Sequence, residues 1–332
     1  MFKSRRIPTV WRIDVEPDET QPPVGEQPWN GFVATVALVD RLRKRLSERS
    51  GRVMHPTWLL RMDPDIERCF GRADFVVRRH AELFDRLITQ ADPLGIHVHA
   101  YRWDAERSVA FSEYADHSWT THCLRVAADA FRNAFNEPVR FSSQGGYHLT
   151  EPLVDTAVEL GIQADLTIEP GLSPKTADRS FGAYASAPSA DFVNSPRHPY
   201  YPSRRAFDVP SSSQAACRPI LMVPLTAYDY ETAQTPWHRR IAYRLLSRPR
   251  RHFPLNPWKS WPNPKVYWDL VVRAAREQSA CYFAFATRTD EPGSAAHQAV
   301  LELLDYLPDH PIAEQLQFVD PLAPEIRALA IP

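Results

Sequence analysis

Two short stretches carry side chains whose types and spacing could do chemistry. The first is Trp11-Arg12-Ile13-Asp14-Val15-Glu16-Pro17-Asp18-Glu19, an apolar-leaning run that ends in four carboxylates within six residues. Side chains of an extended chain alternate faces, so Asp14 and Glu16 point one way and Val15 the other. Two unpaired carboxylates held that close repel and push one pKa upward; either they share a proton or a cation resolves the conflict. The second stretch, Gly95-Ile96-His97-Val98-His99-Ala100-Tyr101-Arg102-Trp103-Asp104, repeats the arrangement with imidazoles: His97 and His99 share a face and Val98 takes the other. A carboxylate with two imidazoles suits zinc and its divalent neighbours. Each pair alone is a weak signal, but both at the ends of predicted strands point to one divalent metal, with Glu16, His97 and His99 among its ligands.

The elements that must position these groups follow a βα rhythm. After the first strand, residues 31–49 read as an amphipathic helix with Val36, Val39, Leu42 and Leu46 at helical spacing, and residues 56–62 as a second strand. Asp63-Pro64-Asp65 suits a helix start, and a long helical region is expected to about residue 92. The histidine strand follows over residues 95–101, then a helix over 115–135 and a fourth strand over 139–143 that ends in Gln144-Gly145-Gly146-Tyr147-His148. Two glycines at a strand end allow a tight turn or close approach of the backbone to a ligand. Thr150 is placed to cap a helix over residues 153–160, with Gly161 at its other end, and residues 164–168 make a fifth strand. Such alternation predicts a parallel sheet or barrel whose functional groups gather at the C-terminal strand ends, where both clusters lie.

From residue 169 to 219 the rhythm stops, and a second irregular stretch, 248–264, carries Trp258 and Trp261. Loops this long are expected to wall a binding site, with contacts from Tyr200, Tyr201, Trp258 or Trp261. Between and beyond them, residues 220–226, 281–286 and 315–319 read as strands and 265–278 and 294–306 as helices. No internal repeat beyond the βα rhythm and no domain boundary is visible, so residues 1–332 are read as one domain.

Composition narrows the classes. Hydrophobic residues make up 44% and charged residues 24%, the balance of a globular chain, and the formal net charge of −1 gives no basic field for nucleic acid. Cys69, Cys123, Cys217 and Cys281 are scattered without a CxxC pair, which indicates buried free thiols. The basic N-terminus reaches Asp14 before any apolar leader segment forms, and no uncharged apolar run approaches the ~18 residues of a membrane span. The expected location is the cytoplasm. With 31 prolines against 11 glycines, many extended connections and rigid turns are expected.

On these motifs the chain resembles the polysaccharide deacetylase (NodB-homology, carbohydrate esterase family 4) superfamily, in the branch whose first motif reads DxE. The first motif is the Trp11–Asp18 stretch, the second Gly95-Ile96-His97-Val98-His99, and the third Phe141-Ser142-Ser143-Gln144-Gly145-Gly146-Tyr147-His148-Leu149. The resemblance implies an α/β fold of the distorted (β/α)7-barrel type, a divalent metal (zinc first), and removal of an acetyl group from a sugar or oligosaccharide. By motif position Asp14 would be the general base, Glu16 and His97 metal ligands, and His99 the substitute for a histidine usually placed where Tyr101 stands. Ser143 stands where an arginine is usual, and the last core strand lacks the usual histidine. His148 is the candidate replacement acid, and Tyr147, Tyr200, Tyr201 and Trp103 are candidate substrate contacts. A glycan-binding protein without turnover and a hydrolase of a non-glycan C–N bond are the competing readings.

Overall fold

The computed structural model describes residues 6–19, 24–25, 28–175, 185–228, 253–258, 261, 263–277 and 282–330. In chain order its strands are β1 (Ile7–Val15), β2 (Thr57–Arg61), β3 (Leu94–Val98), β4 (Tyr101–Asp104), β5 (Val109–Ser112), β6 (Phe141–Gln144), β7 (Ala164–Asp165), β8 (Leu221–Met222), β9 (Ala227–Tyr228), β10 (Phe253–Pro254), β11 (Phe283–Arg288) and β12 (Leu316–Phe318). The main sheet is parallel, in the order β11-β1-β2-β3-β6-β7-β8, and β12 pairs the first residues of β1. The sheet curls until its two ends meet: the N–H of Thr226 donates to the Ala284 carbonyl (2.8 Å), and the Thr226 hydroxyl accepts from the Ala284 N–H (2.9 Å). This is the distorted (β/α)7-type barrel that the βα rhythm and the motifs led one to expect.

Alternation along the strands builds two apolar layers. Trp11, Ile13 and Val15 of β1, with Trp58, Leu60, Ile96, Val98, Phe283 and Phe285, face the surrounding helices. The intervening residues Val10, Leu59, Phe141, Ala164, Leu221 and Ala284 meet inside the barrel. Trp11 stacks on Phe285 with ring centres 5.5 Å apart and donates its indole N–H to Thr287. The inner layer stops at the C-terminal strand ends, and polar side chains take over there.

The helices are α1 (Asn30–Ser50), α2 (Pro64–Phe70), α3 (Phe75–Arg79), α4 (Ala81–Thr89), α5 (His117–Phe135), α6 (Glu151–Glu159), α7 (Pro264–Glu277), α8 (Ala295–Tyr306) and α9 (Pro324–Arg327). Asp63 caps α2 and Asp116 caps α5, each side chain accepting two backbone N–H groups. The long helix expected up to residue 92 is instead three pieces. Gly71, with φ of 79°, returns its N–H to Glu67 and ends α2, and His80, in a non-helical conformation, separates α3 from α4. Thr150 precedes α6 but its hydroxyl makes no cap hydrogen bond. The histidine strand also stops earlier than expected, at Val98, because the chain turns into the antiparallel β4–β5 hairpin, which pairs Tyr101 with Ser112. His99 therefore lies just past the strand.

The expected strands at 164–168 and 220–226 shrink to two residues each; Leu166 and Val223, just past them, bury their side chains and donate their N–H groups to the Ser142 and Asp165 carbonyls. Cys69 and Cys123 are buried as expected and Cys217 is half-buried, while Cys281 lies outside the described residues, as do 176–184 of the first irregular stretch and 248–252, 259–260 and 262 of the second. Among the described residues no helix is long and apolar enough to cross a membrane.

The barrel wall is closely packed at Gly95, where a Cβ would stand 2.5 Å from the Phe141 carbonyl oxygen and 2.7 Å from a Leu59 methyl. Backbone cannot give way as a flexible side chain can. Gly95→Ala is expected to destabilise the protein by about 1–3 kcal/mol through overpacking, measured as a lower urea midpoint with unchanged slope.

Candidate active site and metal centre

Parallel register delivers the polar groups. Arg61, His97 and Ser143 are aligned across β2, β3 and β6, and Asp14 on β1 lies beside Arg288 on β11. All five project inward at the strand ends, above the apolar interior. Glu16 and His99 follow just beyond β1 and β3.

Glu16, His97 and His99 converge as their spacing led one to expect. Their ligand atoms lie within 4.8 Å of one another. Glu16 Oε1 is 3.5 Å from His97 Nε2, Glu16 Oε2 is 3.4 Å from His99 Nε2, and the two Nε2 atoms are 3.1 Å apart. His97 Nδ1 lies 2.7 Å from the Ser143 hydroxyl; with the proton on Nδ1, Nε2 presents its lone pair to the centre. Burial lowers the pKa of His99, with Glu16 opposing the shift, so the imidazole is neutral near pH 7 and able to ligate. Burial works against ionising Glu16, but the imidazoles of His99 and His97 beside it outweigh burial and hold the carboxyl well below its usual range.

The residues present fit a divalent cation. Glu16 Oε2 is buried and accepts no hydrogen bond, an expensive state for a carboxylate oxygen unless a cation sits there. The His99 ring is clamped for the purpose. Tyr101 lies nearly parallel to it with centres 4.8 Å apart, and on Gly145 a Cβ would stand 2.3 Å from His99 Nε2. Tyr101, two residues on, thus buttresses the His99 ring.

Asp14 stands beside this triad. Its Oδ2 accepts from Arg12 Nη2 at 2.8 Å and its Oδ1 accepts from the Ser143 hydroxyl at 3.3 Å, with His97 Nδ1 3.4 Å away. Sequence reasoning missed Arg12, two residues before Asp14 and on the same face. Its charge is opposed by burial but favoured more strongly by Asp14 and Glu169, which raise its pKa. Period-two alternation alone puts Arg12 beside Asp14, so the signal was present.

These groups floor a cavity of about 590 Å³ whose walls include Tyr114, Gly146, Tyr147, Glu169, Lys175, Trp258 and Arg288. Both irregular stretches contribute, through Glu169 and Lys175 and through Trp258. Tyr147 faces the cavity as expected. Its backbone has φ of 60° and follows Gly146 at 65°, an arrangement that L residues seldom adopt. Lys175 Nζ sits 4.7 Å from the centre of its ring, and the charge of Glu169, with burial, raises the phenol pKa so that the hydroxyl stays protonated.

Other expected contacts lie elsewhere. Tyr200 is fully buried, with its hydroxyl donating to the Phe207 carbonyl at 2.7 Å; it is a core residue. Tyr201 packs against the inner apolar cluster, and Trp103 is exposed on the β4–β5 hairpin under the guanidinium of Arg68. Trp261 packs on Tyr267 and donates to the Asn256 carbonyl. None of the four lines the cavity. Sequence spacing locates an aromatic in a loop but not the face it turns.

His148 is likewise outside the cavity lining. Its ring lies flat on Tyr114, centres 4.3 Å apart, and both ring nitrogens are buried without a hydrogen-bond partner. Burial, helped by His117, lowers its pKa to about 4.

No protein-family model matches the sequence, and no curated protein matches it. Among solved structures the chain is similar to one from Parabacteroides distasonis described as a glycoside hydrolase/deacetylase (11% identity over 95% of this chain and 69% of that one, TM-score 0.51). Structures described as polysaccharide deacetylases from Mycobacterium smegmatis (10% identity, 99% and 92% covered, TM-score 0.49) and Pseudomonas aeruginosa PAO1 (12%, 95% and 88%, 0.48) also align with it. At such identities the likeness concerns the fold. The chain thus has a distorted (β/α)7-type barrel, similar in fold to the Parabacteroides distasonis structure.

Two outcomes follow from the site's geometry. Gly145→Ala should drive the His99 ring out of place and cut the affinity of a divalent cation added to this centre at least tenfold in a chelator competition, while the cooperative unfolding transition remains. His148, with its folded pKa of about 4 against an ordinary 6.5, stays neutral while the unfolded chain takes up a proton. Its contribution is therefore fully present above pH 6.5 and is lost as pH falls toward 4, by about 3 kcal/mol. Urea titrations across that range should show a shallower pH dependence for His148→Phe than for the wild type.

Proposed function

We propose that this protein is a metal-dependent hydrolase that removes an acyl group, acetyl foremost, from a sugar or oligosaccharide. The observation that carries the reading is the division of labour between two neighbouring carboxylates. Glu16 meets His97 and His99 with an open, buried oxygen, whereas Asp14 is turned aside by Arg12 and Ser143. One carboxylate is thereby assigned to a cation and the other to a proton.

Glu16, His97 and His99 would hold the cation, zinc best matching one oxygen and two imidazole nitrogens. When bound there, a divalent cation supplies Lewis acidity toward an acyl carbonyl and toward water. Asp14 takes the proton from the attacking water, and Arg12 holds its carboxylate in place until then. The guanidinium of Arg288, whose charge Asp290 and Glu16 favour against burial, adds a fixed positive charge at the same level, where negative charge develops on the acyl oxygen. The phenol of Tyr147 faces the cavity in its protonated form and is the proton donor we assign to the departing group, in place of His148. Trp258, whose buried indole N–H has no hydrogen-bond partner, offers a face and a donor to a sugar ring.

Acetate release from a panel of N- and O-acetylated sugars tests the assignment, with zinc content read in parallel by elemental analysis. Asp14→Asn should keep its zinc and lose activity by roughly 10²–10⁴-fold, because the amide has the same shape but cannot take a proton. Glu16→Ala should lose both zinc and activity, and chelation of the wild type followed by zinc addition should abolish and then restore turnover. Equal release by wild type and Asp14→Asn removes Asp14 from the mechanism. No release by either, with sugar binding retained, assigns the fold here to glycan binding without turnover.

A further inference from the structure

Arg61, the last residue of β2, belongs to none of the three motifs, yet it lies directly behind the metal centre. It is fully buried, a position in which an unpaired guanidinium is very costly. Nε donates to Asp63 Oδ2 at 3.1 Å and Nη2 to Asp65 Oδ2 at 2.8 Å. Nη1 points toward Glu16 Oε2 at 3.6 Å. The guanidinium also lies 5.1 Å from the centre of the Tyr101 ring, whose own stacking holds His99. Asp63 Oδ2 in turn accepts the backbone N–H of His99 at 3.0 Å. The Arg61–Asp63 unit therefore touches the centre by three routes: the Glu16 carboxylate, the support of the His99 ring and the His99 backbone.

The 3.6 Å separation sets what Arg61 does to Glu16. It is short enough for charge attraction and too long for a hydrogen bond, so the Glu16 carboxylate is oriented while Oε2 retains its lone pairs for a cation. A closer guanidinium would take that oxygen for itself. Asp63 and Asp65 prevent the approach by drawing two arms of the planar fork away, and their charges offset the guanidinium so that a cation is not repelled.

We propose that Arg61, anchored by Asp63 and Asp65, is a positioning residue of the Glu16–His97–His99 centre and sets both its metal affinity and its coordination geometry. The inference rests on the metal-centre reading above. It differs from a purely structural role, in which the buried ion cluster would hold the barrel mouth together without affecting how the folded protein binds metal.

The test uses the full chain as wild type, Arg61→Lys and Asp65→Asn, with zinc affinity measured against a chromophoric chelator and the visible spectrum recorded with cobalt(II). Lysine keeps the charge but loses the fork. Arg61→Lys is expected to fold, to bind zinc roughly 10- to 100-fold more weakly and to shift the cobalt bands, as loss of an outer support does at metal sites. Asp65→Asn, which loosens one arm and leaves Arg61 in place, should weaken binding in the same direction by less. Zinc binding within about threefold of wild type and an unchanged cobalt spectrum in both folded variants overturns the inference, since supports of this kind typically matter by at least tenfold. If Arg61→Lys does not fold, Asp65→Asn decides by the same criterion. A wild type that binds neither metal overturns the metal-centre reading and this inference together, whereas metal-binding wild type with insensitive variants overturns this inference alone.

Discussion

Ionised groups buried at the C-terminal mouth of the barrel must satisfy one another, and most of the local structure follows from that requirement. Arg12, Asp14, Glu16, Arg61, Asp63 and Asp65 are all nearly inaccessible to water. Any one of them left alone would cost several kcal/mol, more than a typical domain can spare. The ion pairs Arg12–Asp14, Arg61–Asp63 and Arg61–Asp65 remove most of that cost. Glu16 Oε2 is the carboxylate oxygen of this group left without a hydrogen bond, the position where the proposed cation would complete the network.

The same requirement explains how two departures from the usual form of the motifs that this chain resembles coexist with an ordered site. Ser143 occupies the position of a usual arginine, but a guanidinium still reaches Asp14 because Arg12 shares its strand face. Tyr101 occupies the position of a usual histidine, and the histidine two residues earlier is turned inward instead, held between the Tyr101 ring and the bare backbone of Gly145. Arg288, at the end of the last core strand, brings positive charge where no histidine is present.

The irregular segments serve two different ends. Parts of them wall the cavity, with Glu169 and Lys175 from one and Trp258 from the other. Other parts are core: Phe192 and Tyr200 are completely buried, and Tyr200 forms a bridge to Met222 in both backbone directions. Such segments have no ladder to satisfy their backbone groups, so side chains and isolated bridges do it, for example Phe207 N–H donating to Glu151.

What the amino-acid sequence determined by itself was whatever depends on local periodicity. Two-residue alternation placed Asp14 with Glu16 and His97 with His99, and βα alternation implied a parallel barrel with those pairs at its C-terminal ends. Asp63 and Asp116 act as caps because their carboxylates reach backbone N–H groups two and three residues on. Only the tertiary structure decided what depends on register between distant strands. Arg61, His97 and Ser143 form one row because β2, β3 and β6 pair in a particular register, and a shift of one residue would turn each to the other face. It likewise decided that His148 and Tyr200 are packing groups while Tyr147 faces the cavity. Whether a ring in a loop meets solvent, ligand or core depends on contacts across the fold, and the spacing of residues along the chain carries no record of them.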